Sequence, residues 1–181
     1  MTALDIVRYR LYNQCLAHKL AEPDQIAAWF GAMQAQDYAS VKWALGIRGS
    51  ALTDAAIEQA IADKTILRTW LMRGTLQMIA AADVRWLLAL LAPRLISGSA
   101  RRLQELELDQ ATLAQSFKIL TSILKDGSPL SRADILLALE KAGISTTGQR
   151  GYHILVQAAL AGLICFGPVQ GKQQTFVLLD E

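Results

Sequence analysis

The sequence predicts a mainly α-helical chain with small β-hairpins. Apolar residues recur at i, i+3 and i+4 along most of its length, which is the period of a helix with one buried face. Helix-starting residues stand at the front of those stretches: Thr2, Pro23, Thr53, Asp109 and Ser131. Two short runs rich in branched and aromatic residues interrupt the helical pattern, each with glycine near its middle. With 181 residues, 52% of them apolar, the chain has material for one sizeable domain or two small ones.

Thr2 and Asp5 have the spacing of a capping box, so a first helix starts near residue 3 and runs to about residue 18. Pro23 suits the first turn of a second helix, with Ile26, Ala27, Trp29 and Phe30 on or near its apolar side. A polar cluster, Gln34-Ala35-Gln36-Asp37-Tyr38, ends that helix. A short helix from Ser40 to Ile47 follows, and Thr53 caps another through Ile57, Ala60 and Ile61. Ile66 to Ile79 reads as a hairpin turning at Arg73-Gly74. A long helix begins at Asp83 and reaches Leu103, with Trp86, Leu87, Leu90 and Leu91 as its expected core face and Pro93 as a kink or break.

The order then repeats. Asp109 caps a helix that stops at Gly127, Ser131 with Asp134 opens a second that stops at Gly143, and a third spans Gln149 to Ala161. Leu163 to Phe166 and Thr175 to Leu179 close the chain as strands. Helix, helix, helix, hairpin, twice over, is the order of tandem winged-helix (helix-turn-helix) domains. Their expected limits are 1–105, bearing the Gln-x-Gln pair, and 106–181. A plain helical bundle with two hairpins is the competing arrangement.

Composition narrows the function. The net charge is +2 and the isoelectric point about 8.6, mildly basic and compatible with nucleic acid without requiring it. Cys15 and Cys165 lie far apart in apolar runs, as small buried thiols do in a reducing compartment. His18 and His153, the only histidines, form no metal-ligand spacing, and no metal or cofactor is expected. Met1-Thr2-Ala3-Leu4-Asp5 lacks the basic-then-apolar order of a secretion signal. Arg85, Pro93 and Arg94 interrupt the most apolar stretch, so no membrane contact is expected. A cytoplasmic protein is the simple expectation.

Three surfaces carry candidate contacts. In the helix from Gln149, the residues Gln149, His153 and Gln157 form a polar stripe with Arg150 at its edge. The second helix of a helix-turn-helix presents such a face to the major groove, although most amphipathic helices simply solvate it. The segment Gly167 to Gln174 offers Lys172 and three amides for phosphate or sugar contacts, or is an ordinary hairpin loop. Arg68, Arg73, Arg85, Arg94, Arg101 and Arg102 are the densest basic supply. They form a phosphate track if several face one way, or pair with acids and cover the apolar helix.

Three stretches taken together resemble the AlkZ/YcaQ-like family of winged-helix proteins. They are Gln34-Ala35-Gln36-Asp37; Leu67-Arg68-Thr69-Trp70-Leu71-Met72-Arg73-Gly74-Thr75-Leu76; and Gly148-Gln149-Arg150-Gly151-Tyr152-His153 with Gly171-Lys172-Gln173. The resemblance covers nearly the whole chain. It implies a bacterial DNA glycosylase that releases N7-alkylated purines and unhooks interstrand crosslinks. Gln34 and Gln36 would match the family's Gln-x-Gln active-site signature. Double-stranded DNA, alkylated or crosslinked, is the implied partner, with Tyr38, Arg68, Arg73, Gln149, Arg150, His153 and Lys172 as candidate contacts. Relatives continue beyond the position of Glu181 into further domains, so the chain reads as the N-terminal portion of such an enzyme or as a shortened relative. A non-catalytic winged-helix DNA-binding regulator is the alternative.

The chemistry is coherent for one substrate class. A carboxamide does not titrate, so neither glutamine is a general base. Each can orient a water, and its carbonyl dipole can favour an oxocarbenium-like cation. An N7-alkylated guanine is already cationic and leaves as a neutral base, so it needs no protein acid. Asp37 is the nearest carboxylate, available to activate the water or to cap the following helix. Tyr38 stacks on a nucleotide or packs beneath the cluster.

Overall fold

The computed structural model describes residues 2–180. Its chain is mostly helical, with short antiparallel strands, and separates into two compact units. The first comprises the chain up to Leu67 together with Thr75–Val84; the second comprises Arg68–Gly74 and the chain from Arg85 onward.

The first unit opens with α1 (Ala3–Asn13), capped as expected: Thr2 N donates to Asp5 Oδ2 at 2.8 Å and Asp5 N to Thr2 Oγ1 at 3.2 Å. The helix ends five residues before the expected 18, because Cys15 takes a left-handed backbone (φ 52°) that an α-helix cannot continue through. None of the residues of α1 is buried. Pro23 starts α2 (Pro23–Phe30), and Gly31, at φ 70°, turns the chain out of it. Then follow β1 (Met33–Gln34), α3 (Tyr38–Gly46), α4 (Asp54–Ala62), the start of β2 (Ile66–Trp70) and β3 (Leu76–Ala80). Thr53 caps α4 by accepting from Ala56 N at 3.1 Å.

Met33 pairs antiparallel with Met78, and Gln34 with Gln77. Met33, Ala35, Met78 and Ala80 turn to the core, where they meet Ile26, Val41, Leu45, Ile57 and Ile61. Burying side chains of this size stabilises the unit by about 1.5–3 kcal/mol apiece.

The second unit holds the rest of β2, α5 (Val84–Glu105) beyond its first residue, α6 (Gln110–Leu124), β4 (Leu130–Ser131), α7 (Arg132–Lys141), α8 (Arg150–Leu160), β5 (Ile164–Phe166) and β6 (Thr175–Leu178). Arg68 pairs with Phe166, β5 pairs with β6, and Leu130 pairs with Phe176. Asp109 and Ser131 cap α6 and α7 through Thr112 N (2.7 Å) and Asp134 N (3.2 Å). Leu120, Leu124, Ile135, Leu139, Ile154 and Ile164 are fully buried, and Trp70 gathers Tyr152, Phe166 and Phe176 around its ring.

The element order is the same in both stretches: helix, short strand, two helices, two strands. The short strands β1 and β4 were not expected from the sequence, since two residues carry no period. The expected face of α5 also needs correction. Leu87, Leu88 and Ala92 are buried, whereas Trp86 is 51% and Leu90 66% exposed. The inward stripe runs through 84, 88 and 92, and Pro93 lies within an unbroken helix. Cys15 and Cys165 are both buried and neither forms a disulfide, as the sequence suggested. Among the described residues no helix is long and apolar enough to cross a membrane.

Candidate active site

The polar cluster lies where β1 ends and α3 begins. Successive side chains of a strand alternate between faces. Met33 and Ala35 therefore point into the core, and Gln34 points out, exposed. Gln34 and Gln77 are direct partners across the pair, and the next backbone bond, Ala35 N to Leu76 O at 2.8 Å, makes 35 and 76 a hydrogen-bonded pair. Gln34 and Gln77 thus form a non-hydrogen-bonded pair, in which opposed side chains approach most closely. By the same alternation Thr75 shares their face, and Gln77 Nε2 donates to Thr75 Oγ1 at 2.8 Å.

The two glutamines of the motif do different work. In a continued ladder Leu76 N would donate to the carbonyl of Ala35. Instead it donates to Gln36 Oε1, at 2.6 Å. The Gln36 carbonyl thus closes the ladder where the strand stops. Its oxygen is engaged by the backbone, which modifies the symmetrical role drawn from the sequence. Gln34 is exposed, and its carboxamide has no protein hydrogen bond among the described residues.

Asp37 is the N-cap of α3, accepting from Ser40 N at 2.7 Å. Tyr38 is half-buried: it packs against the first core, and its hydroxyl donates to Glu58 Oε2 at 2.7 Å. The Lys42 ammonium lies 5.0 Å from the Tyr38 ring centroid and pairs with both Asp54 (2.7 Å) and Glu58 (2.6 Å). Burial opposes the charge on Lys42, but the hydrogen bonds it donates to its two acid partners outweigh that and raise its pKa. This arrangement fixes the wall behind the motif by packing and ion pairing.

In the second unit, the polar stripe runs from solvent inward along α8: Gln149, at its N-cap, is exposed, whereas Gln157 is buried. Gln157 is buried and donates to Ser99 Oγ at 3.0 Å; Gln149 accepts from Arg102 at 3.0 Å; His153 is half-buried. The reason is α5, whose length brings Ser99 and Arg102 against α8. Burial, followed by the Arg102 charge, lowers the His153 pKa below its ordinary value. Arg150 donates to the carbonyls of Ser145 (2.9 Å), Glu107 (3.1 Å) and Leu106.

The basic run divides likewise. Arg68 is buried, its guanidinium 4.8 Å from the Phe166 ring centroid. Arg85 pairs with Asp180, and Arg101 and Arg102 with Glu105. Arg73 and Lys172 are exposed at loop tips, Arg73 at φ 54° and Lys172 beside the bridge between Gln170 and Gln173. Sequence reasoning assigned no role to Gln77 or Thr75. The available signal was a single glutamine amid Leu76, Met78 and Ile79, an amide no apolar strand has reason to keep.

A strand-end pair of carboxamides on a helical scaffold with a small antiparallel sheet defines a class of protein that can present neutral amide groups to a ligand. The family follows from comparison. A model described as "DNA glycosylase AlkZ-like" matches residues 27–181. The chain belongs to the AlkZ-like DNA glycosylase family. It is 26% identical over 153 residues to an interstrand DNA cross-link repair glycosylase of Streptomyces sahachiroi, a match covering 81% of this chain and 40% of that protein. The solved structure of the Streptomyces sahachiroi DNA glycosylase AlkZ shares the fold, with a TM-score of 0.77, 22% identity, and coverage of 94% of this chain and 47% of that one. The chain thus spans less than half the length of the relatives it matches.

Proposed function

We propose that this chain belongs to a glycosylase that hydrolyses the N-glycosidic bond of N7-alkylated purines in duplex DNA, including those joined in interstrand crosslinks. We read residues 1–105 and 106–181 as tandem winged helices, each containing the order helix, strand, helix, helix, two strands. The observation that carries the functional reading is the asymmetry of the motif: an anchored Gln36 beside an exposed Gln34 whose carboxamide is uncommitted.

In this reading Gln34 is the working group. Its oxygen accepts a hydrogen bond from the attacking water and turns a lone pair of that water toward the anomeric carbon. The same C=O dipole favours the positive charge that develops on the sugar as the base departs. Gln36 keeps the end of β1 in place, so that Gln34 starts from a fixed backbone. The leaving purine takes the electrons of the broken C–N bond and its cationic ring becomes neutral, so no acid is required at the site; the proton that the attacking water loses as its oxygen bonds to the anomeric carbon passes to solvent. Selectivity follows from lability, since an unmodified purine would leave as an anion. Arg73 and Lys172 meet phosphates, and Asp37 acts through the α3 cap that sets the direction of the chain after Gln36.

The test is single-turnover release of base from duplex DNA carrying N7-methylguanine. The parent is expected to release it, and Gln34→Ala to lose tenfold or more at unchanged DNA affinity, about 1.4 kcal/mol of transition-state stabilisation per factor of ten. Binding without release would instead support the non-catalytic DNA-binding reading of this chain.

A further inference from the structure

We propose that Gln77 is a positioning residue for Gln34. The inference rests on the glycosylase reading for its catalytic consequence and on the strand register for its geometry. Gln34 and Gln77 stand opposite each other in a non-hydrogen-bonded pair, on the face turned away from Met33, Met78 and the first core. Side chains at such a pair have Cβ atoms roughly 4.5–5.5 Å apart, well within the reach of two glutamines.

The pair is unequal in freedom. Gln77 is 3% exposed, and its amide nitrogen is tied to Thr75 Oγ1 at 2.8 Å. Gln34 is exposed and makes no protein hydrogen bond among the described residues. A buried carboxamide in an otherwise apolar strand carries a desolvation cost wherever its groups go unmatched. One bond to Thr75 leaves the Gln77 oxygen with acceptor capacity to spare. Gln34 is the polar side chain that the register sets directly across from it.

Donation from Gln34 Nε2 to Gln77 Oε1 satisfies that oxygen and fixes the Gln34 amide plane. It directs Gln34 Oε1 away from the sheet, toward the water and sugar. Thr75, Gln77 and Gln34 then act in series: the hydroxyl fixes the buried amide, and the buried amide fixes the exposed one. Without Gln77, Gln34 keeps its chemistry but samples several rotamers, and few of them are productive.

The experiment compares the parent with Gln77→Met, which keeps the volume and removes the amide, and Gln77→Glu, which keeps an acceptor. Side-chain amide resonances of ¹⁵N-labelled protein are recorded free and with a duplex bearing a tetrahydrofuran abasic site, with Gln34→Ala supplying the assignment. Single-turnover base release is measured alongside. Gln77→Met is expected to shift the Gln34 side-chain resonances and slow base release about tenfold, with DNA affinity unchanged; Gln77→Glu should recover most of the rate. Gln34→Ala combined with Gln77→Met should be no slower than Gln34→Ala alone, because the second residue acts only through the first. Unmoved Gln34 resonances, or losses that multiply in the double variant, overturn the proposal. If the parent releases no base, the glycosylase reading fails, and the resonance comparison still decides whether Gln77 positions Gln34.

Discussion

At the residue scale, the two glutamines of one motif should separate in a stability measurement before any activity is assayed. Gln36→Ala deprives Leu76 N of its acceptor and is expected to cost about 1 kcal/mol. That lowers the melting temperature by roughly 2–4 °C for a chain of this size. Gln34→Ala removes an exposed side chain whose proposed partner is the Gln77 carboxamide and none of the backbone, so it should lower the melting temperature less than Gln36→Ala does; thermal denaturation followed by circular dichroism reads both. Any fall in base release caused by Gln36→Ala must therefore be compared with Gln36→Glu, which retains an acceptor for Leu76. Asp37 offers a second separation. Asparagine caps a helix about as well as aspartate, whereas alanine costs about 1 kcal/mol. If the Asp37 carboxylate takes no part in the chemistry, Asp37→Asn releases base at the parent rate. A rate loss in Asp37→Asn without a stability loss would instead assign the carboxylate to the water.

At the element scale, α8 carries the clearest pH signature. His153 has a folded pKa below its ordinary value of about 6.5, because burial and then Arg102 oppose its protonation. The unfolded chain therefore takes up the proton first. The associated stability is present above pH ~6.5 and is lost as pH falls from there through the folded value. His153→Gln should flatten the stability profile in that window. The separate acid loss from Asp109 and Glu140, whose pKa values are lowered chiefly by hydrogen bonds from Thr112 and Thr146, should remain at lower pH. Equilibrium urea unfolding across pH distinguishes the two regions. The same helix shows where sequence legibility ended. Caps at Thr2, Thr53, Asp109 and Ser131 were legible because each is local, a side chain meeting a backbone N–H three residues away. The partners of the α8 stripe were not legible, because Ser99 and Arg102 lie about fifty residues away in sequence. The motif Gln34-Ala35-Gln36 was visible as a polar break, but the capture of Leu76 N by Gln36 spans forty residues and has no local trace.

At the scale of the whole molecule, a net charge of only +2 means that DNA affinity must come from a few placed cations rather than a general field. Arg73 and Lys172 are exposed and should each contribute about one unit to the slope of log affinity against log salt. Arg73→Ala and Lys172→Ala are expected to flatten that slope without changing the melting temperature. Arg150→Ala should do the opposite, because its guanidinium is spent on the carbonyls of Ser145, Leu106 and Glu107. Fluorescence anisotropy over a salt series, paired with thermal melts, separates these roles. The cysteines offer a different kind of measurement. The sequence has just two; Cys15 is sealed in the first unit and Cys165 in the second. Burial also holds the Cys15 thiol above its usual pKa, so in the closed state it is protonated as well as shielded. An alkylating reagent therefore reaches each sulfur only when its own unit opens, and the mass gained over time times the opening of each half in the unmutated protein.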